Sequence, residues 1–136
     1  MSLLQLCRRM ERELRPLLGI GKEWSIRWSV RDDDEEDGNM GTCVTRVDYR
    51  IATINLWPDR IDDHAELVDT IAHELCHISH WPFTAFAEVL EQGVDGPVAA
   101  MIDRAWTRAQ EEYISAVMMQ RPDIREVIRK HAGSPL

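Results

Sequence analysis

The chain has 136 residues, 44% of them hydrophobic and 29% charged, which predicts one soluble globular domain with a hydrophobic core. The net charge of −8 disfavours a general nucleic-acid or anionic-membrane binder, and no apolar run is long enough to span a bilayer. Residues 1–15 lack the order of a signal peptide, so we expect a cytoplasmic protein. The three cysteines, Cys7, Cys43 and Cys76, have no metal-knuckle spacing and are interpreted as free thiols.

The first half of the chain predicts one helix followed by three strands. Apolar residues recur every three or four positions through residues 3–18, as in an amphipathic helix. Residues 24–30 alternate in hydropathy, and residues 42–49 and 50–57 are rich in Val, Thr, Ile and Tyr, so each predicts a strand. Because the links between these strands are short, we expect an antiparallel sheet. Six consecutive acids at residues 32–37 predict a solvated loop, since their spacing does not match a calcium-binding EF-hand.

The pattern H-E-x-x-H occurs at residues 73–77, inside a predicted helix over residues 62–80 that contains no Pro or Gly. Positions four apart share one face of a helix, so His73 and His77 can bind one cation. Glu74 then lies beside a metal-bound water. Zinc suits such ligands, and a carboxylate that takes the proton of the water makes hydroxide available near neutral pH. The alternative interpretation is a surface helix with two incidental histidines.

Other polar residues near the motif are weaker candidates. His80 lies seven residues after His73, or about 10.5 Å along a continuous helix, which is too far for both to bind one ion. Asp69 or Thr70, one turn before His73, are candidates to accept the second N–H of a metal-bound imidazole, although a solvated Asp69 is the alternative. His64 is expected to be exposed in the first helical turn, with a role as proton donor as the alternative.

The second half of the chain predicts helices over residues 83–92, 98–120 and 123–131, and the long middle helix is expected to carry the third metal ligand. Its predicted inner face is marked by Met101, Ile102, Ala105, Ala109, Ala116 and Val117. Glu112 falls on that row, and a carboxylate on an apolar face is costly unless it is paired or bound to metal, which favours Glu112 as the ligand. Glu111 is the alternative ligand, and a surface ion pair is the alternative role of Glu112.

The H-E-x-x-H pattern, followed by a glutamate on the next long helix, resembles the gluzincin type of zinc metallopeptidase. The small size and the order helix, three strands, helix, helix resemble the minimal phage and bacterial members, close to ImmA/IrrE-like and SprT-like proteins. The resemblance implies a single zincin-like α+β domain over residues 1–136. It also implies a functional set of Zn²⁺ ligands and a general base: His73, His77 and Glu112 as ligands, and Glu74 as base. Some gluzincins place an acid four residues after the glutamate ligand to orient a histidine, and here that position is Ala116.

The leading hypothesis is a zinc-dependent hydrolase that cleaves peptide bonds in a protein or peptide substrate. An edge strand within residues 42–56 is expected to bind the substrate, and His64 and Tyr113 are candidates to stabilise the oxyanion. The first alternative is a non-catalytic regulator or phage accessory protein whose zinc is structural. The second is a metal-dependent nuclease, which the acidic composition disfavours.

Overall fold

A computed structural model describes residues 1–34 and 37–136, and these residues form an α+β fold. The helices of this part of the chain are α1 (Leu3–Leu18), α2 (His64–Ser79), α3 (Trp81–Gln92), α4 (Gly96–Gln120) and α5 (Pro122–Ala132). The strands are β1 (Ser25–Val30), β2 (Gly41–Arg46) and β3 (Ile51–Leu56). The loop prediction for residues 35 and 36 of the acidic run falls outside the described residues. Within the described ranges, none of the helices combines the length and the apolar character that a bilayer span requires.

The sheet is mixed, so the predicted antiparallel arrangement is wrong. Its strand order is β1-β3-β2, with β3 antiparallel to β2 and parallel to β1. Strands β1 and β2 lie at opposite edges of the sheet, so these two consecutive strands do not pair as a hairpin. The chain then returns as β3 between the first two strands. In consequence β3 is the central strand, with Ala52, Ile54 and Leu56 buried, and β2 is an edge strand.

The two later strands are shorter than predicted because a turn separates them. Val47–Tyr49 forms one turn of 3-10 helix, and Arg50 adopts a left-handed backbone conformation with φ of 53°. Strand pairing therefore stops at Arg46 and resumes at Ile51. The guanidinium of Arg50 lies 3.9 Å from the centroid of the Trp81 ring, a cation–π contact that attaches this turn to the start of α3.

Helix α2 lies in the centre of the core. The Asp63 side chain accepts a hydrogen bond from the Glu66 main-chain N–H and so caps the helix, and the helix ends at Ser79. The apolar side of α2 packs against α1 and α5, and its neighbours include α4 and β2. The fully buried residues of this core include Leu6, Met10 and Leu14 of α1, Ile71, Leu75 and Ile78 of α2, Ile114 of α4 and Ile124 of α5. This packing fixes the direction in which the polar side of α2 faces.

Helix α4 turns a partly different face to the core from the one that the sequence predicts. Three residues of the predicted inner row are exposed: Met101, Ala105 and Ala109. Ile102, Ala116 and Val117 of that row are partly buried as predicted, and the inward row also contains Trp106, Gln110 and Ile114. Alanine is a good helix former and tolerates exposure, so a row of alanines does not by itself mark a buried face. The larger tryptophan and isoleucines determine the rotation of the helix.

Candidate metal centre

Two imidazoles one helical turn apart on α2 face the same cleft. The ring centroids of His73 and His77 are 5.1 Å apart. One ligand atom from each of His73, Glu74 and His77 lies within 4.8 Å of the others, so this group can hold a metal ion. The opposite side of α2 is buried, with Ile71 and Leu75 fully inaccessible, and it holds the histidine rings in place.

The carboxylate that meets both rings belongs to Glu111 of α4. Its Oε2 atom lies 3.0 Å from His73 Nε2, and its Oε1 atom lies 3.3 Å from His77 Nε2. Glu112 points into solvent, where its side chain is 69% exposed and accepts a hydrogen bond of 3.1 Å from Arg108 Nε. The preference for Glu112 as the residue facing the histidines is therefore corrected in favour of Glu111. The error is one residue, or about 100° of helix rotation, and it follows from the misjudged inner face of α4.

Glu74 is buried between α2 and the edge strand β2. Its side chain is only 5% exposed, and its Oε2 atom has no hydrogen-bond partner among the described residues. Burial, and to a smaller degree the charge of Glu111, raise the pKa of Glu74 to about 8. Because buried polar atoms are normally paired, the free oxygen indicates that a group in the cleft, such as a water or a cation, completes the site.

A glycine permits the close approach of β2 to Glu74. A Cβ atom on Gly41 would lie 3.1 Å from Glu74 Cγ, 3.0 Å from Thr70 Cγ2 and 3.3 Å from a methyl group of Leu56. A larger residue at this position would require either these side chains or the strand to shift. The absence of a side chain at Gly41 therefore helps to bury Glu74 and to keep it beside the two histidines.

A second polar contact supports His77 on the side away from the cleft. Gln110 of α4 presents its Oε1 atom to His77 Nδ1 and to His80 Nε2, each at 3.0 Å. His80 is buried, and its ring makes edge contacts with Trp106 and Tyr113 at centroid distances of 5.7 Å. Burial is the main cause that lowers the pKa values of His77 and His80, which favours neutral rings. Gln110 is not among the residues that the sequence motif predicts for the site. The feature of the sequence that could have indicated it is a polar residue in a row of apolar residues four apart on one helix face: Ile102, Trp106 and Ile114.

The remaining predicted residues lie elsewhere or have other partners. His64 Nε2 lies 2.8 Å from the His131 carbonyl oxygen, so it contacts α5 and is not among the residues that line the cleft. Tyr113 is also absent from the lining. The Thr70 hydroxyl donates to a carbonyl of the preceding turn at 2.8 Å, and Asp69 lines the cleft without a hydrogen bond to His73 in the described part of the chain. Neither proposed oxyanion stabiliser therefore reaches the site in this conformation.

The cleft in front of the histidines has a volume of about 1050 Å³. Helices α2, α4 and α5 and the start of β2 form its walls. The contribution of α5 consists of Arg125, Ile128 and Arg129, whose spacing of three and four residues places them on one helix face. The sequence predicts this helix but contains no motif that indicates its place beside the histidines. No family model, curated protein or solved structure matched the chain.

Proposed function

We propose that the chain is a zinc-dependent metallopeptidase of the gluzincin type, with His73, His77 and Glu111 as zinc ligands and Glu74 as the general base. The observation that carries this proposal is the approach of one carboxylate to the Nε2 atoms of both histidines, at 3.0 and 3.3 Å. The two rings come from one helix and the acid from another, so the arrangement requires the tertiary fold.

The spacing of these atoms fits a zinc ion. Bonds of about 2.0–2.2 Å at tetrahedral angles place neighbouring ligand atoms about 3.3–3.6 Å apart. The two nitrogen–oxygen distances are close to that range. Two imidazoles and one carboxylate leave a fourth position for water, as catalytic zinc sites do. When bound, zinc acidifies this water and polarises the carbonyl of the substrate.

In this proposal, Glu74 transfers the proton of the attacking water. Its unpartnered Oε2 atom accepts a proton from the attacking water and then delivers it to the nitrogen of the leaving amine. The buried setting raises the pKa of the carboxyl, which makes it a stronger base. A divalent cation held by the two histidines and Glu111 would oppose this shift and keep the carboxylate ionised near neutral pH.

The edge strand supplies a surface for the substrate. Strand β2 is paired with β3 on one side only, and Gly41, Thr42 and Cys43 line the cleft. An extended peptide can add to such an edge through main-chain hydrogen bonds, which favours a protein or peptide substrate. The cytoplasmic location and the absence of membrane and nucleic-acid partners stay predictions of the sequence.

The decisive experiment compares wild-type protein with the Glu74→Gln variant after both have been loaded with zinc. Both proteins are incubated with a peptide pool, and products are identified by mass spectrometry while zinc content is measured in parallel. We expect cleavage by the wild type and a loss of about 100-fold or more in the variant, with zinc content unchanged. Equal cleavage by the two proteins would exclude Glu74 as the base.

One observation favours a second function, a zinc-binding regulator without catalytic activity. Neither His64 nor Tyr113, the two candidates to stabilise the oxyanion, is among the residues that line the cleft. This alternative predicts stoichiometric zinc, destabilisation by chelators and no turnover of any peptide. Cleavage that depends on Glu74 distinguishes the metallopeptidase from this regulator.

A further inference from the structure

We infer that Gln110 is the positioning residue that prepares His77 to bind metal, and that His80 holds the Gln110 amide in the orientation this requires. The inference rests on the proposed metal site. Gln110 would supply the support for a histidine that some gluzincins obtain from an acid four residues after the glutamate ligand. Counted from Glu111, that position is Ser115, and counted from Glu112 it is Ala116, so neither offers a carboxylate.

The first step concerns the two nitrogens of His77. A neutral imidazole that binds a cation through Nε2 carries its proton on Nδ1, and that N–H needs an acceptor. Nε2 faces Glu111 at 3.3 Å, and Nδ1 faces Gln110 Oε1 at 3.0 Å. The contact with Gln110 therefore favours the tautomer whose Nε2 lone pair points to the cleft.

The second step concerns the orientation of the amide. A glutamine can present either an accepting oxygen or a donating NH₂ group, and only the oxygen favours the metal-binding tautomer of His77. His80 Nε2 lies 3.0 Å from the same oxygen, so a second N–H donates to it. The reversed amide would require both rings to accept, which would move the proton of His77 onto Nε2, where it blocks a cation.

The third step concerns the fixed position of His80. It is 5% exposed and sits at the junction of α2 and α3, in edge contact with Trp106 and Tyr113. Its Nδ1 atom is buried without a hydrogen-bond partner in the described part of the chain, so Gln110 is the partner of this ring. Two consecutive residues of α4 thus contact opposite nitrogens of His77. Gln110 orients the ring through Nδ1, and Glu111 faces Nε2 on the cleft side.

The test measures zinc affinity by competition with a chromophoric chelator for wild type, Gln110→Leu and Gln110→Glu. Gln120→Leu, the same change at an exposed position of α4, is the control. We expect Gln110→Leu to weaken zinc binding by about 10- to 100-fold. Gln110→Glu, which keeps an accepting oxygen, and Gln120→Leu should both bind zinc at least about as tightly as the wild type. Wild-type affinity in Gln110→Leu would overturn the inference, even if Glu74-dependent cleavage upholds the metallopeptidase.

A second measurement covers the case in which Gln110→Leu does not fold. The nitrogen chemical shifts of His77 in metal-free wild-type protein report which nitrogen carries the proton. We expect the tautomer with Nδ1 protonated before any metal is added. Protonation on Nε2 would overturn the inference. A wild-type protein that binds no zinc by competition would overturn both the inference and the proposed function.

Discussion

Glu111 and Glu112 are neighbours in the sequence with opposite surroundings. Glu111 meets two imidazoles, whereas Glu112 forms an exposed ion pair with Arg108 one turn earlier. We expect Glu111→Ala to lower zinc affinity by about 100-fold or more, because it removes one of the three proposed ligands. The matched change Glu112→Ala should leave zinc binding intact and alter stability by less than about 0.5 kcal/mol. Elemental analysis after dialysis measures both, and loss of zinc from Glu112→Ala alone would contradict the assignment.

Gly41 provides a second test at the scale of single residues. In Gly41→Ala the added methyl group meets the side chains of Glu74 and Thr70 at close to 3 Å, so Glu74 or the strand must move. We expect a loss of stability of about 1–3 kcal/mol and a fall in kcat, with zinc content unchanged because no ligand is touched. Gly96→Ala is the control, since a Cβ there meets nothing within 4 Å. Urea denaturation and peptide cleavage measure the two effects, and Gly41→Ala that matches Gly96→Ala in both would show that the close approach is unimportant.

Among the secondary-structure elements, local patterns were predictable and tertiary rotations were not. The relation of His73 to His77 depends only on helical geometry, so the motif itself indicated that both rings share a face. Which carboxylate of α4 faces the two rings depends on how that helix is rotated about its axis. The packing of Trp106 and the isoleucines sets this rotation, and the alanine row does not. The same limit applies to the sheet. The alternation of residues 24–30 indicated a strand, but its parallel pairing with β3 depends on where a long link carries the chain.

Helix α5 lines the cleft, and a partly buried polar contact attaches it to α1. The carboxylate of Glu13 meets His131 Nε2 and Lys130 Nζ, each at 2.5 Å. Burial alone would raise the pKa of Glu13, but the hydrogen bonds from Lys130 and His131 outweigh it and hold that pKa below its ordinary value. A lowered pKa in the folded state means that ionised Glu13 contributes stability above its unfolded pKa of about 4.5. That contribution is lost as the pH falls through the folded pKa.

We therefore expect Glu13→Gln to cost about 1 kcal/mol of unfolding free energy at pH 7 and much less near pH 3. Glu126→Gln is the control because Glu126 forms an exposed ion pair with Arg129 within α5, the helix that Glu13 contacts. That change should cost less than about 0.5 kcal/mol at either pH. Urea unfolding at the two pH values measures both variants. A Glu13→Gln penalty that is equal at pH 7 and pH 3 would show that its charge does not stabilise the attachment of α5.

For the whole molecule, the proposed cation joins parts of the chain that are distant in sequence. Helix α2 belongs to the central core, whereas α4 has Ile114 as its one fully buried residue among those described. Burial is the main cause of the raised pKa of Glu74, and repulsion by the Glu111 carboxylate adds to it. The spacing of apolar residues correctly indicated helices and strands, and the composition correctly indicated a hydrophobic core. It held no information about this link, because the link depends on where α4 packs.

Removal of the metal should therefore destabilise the fold as well as the site. A ligand present at 1,000 times its Kd stabilises the folded state by about 4 kcal/mol, which for a chain of this size corresponds to a shift in Tm on the order of 10 °C. We expect a chelator to lower the Tm of zinc-loaded wild type by about that amount. Added zinc should restore it. Glu111→Ala, whose zinc affinity we expect to fall by about 100-fold or more, should respond to chelator and zinc with at most about a third of the wild-type shift in Tm. A wild-type Tm that is indifferent to chelation would mean that no cation links α2 to α4.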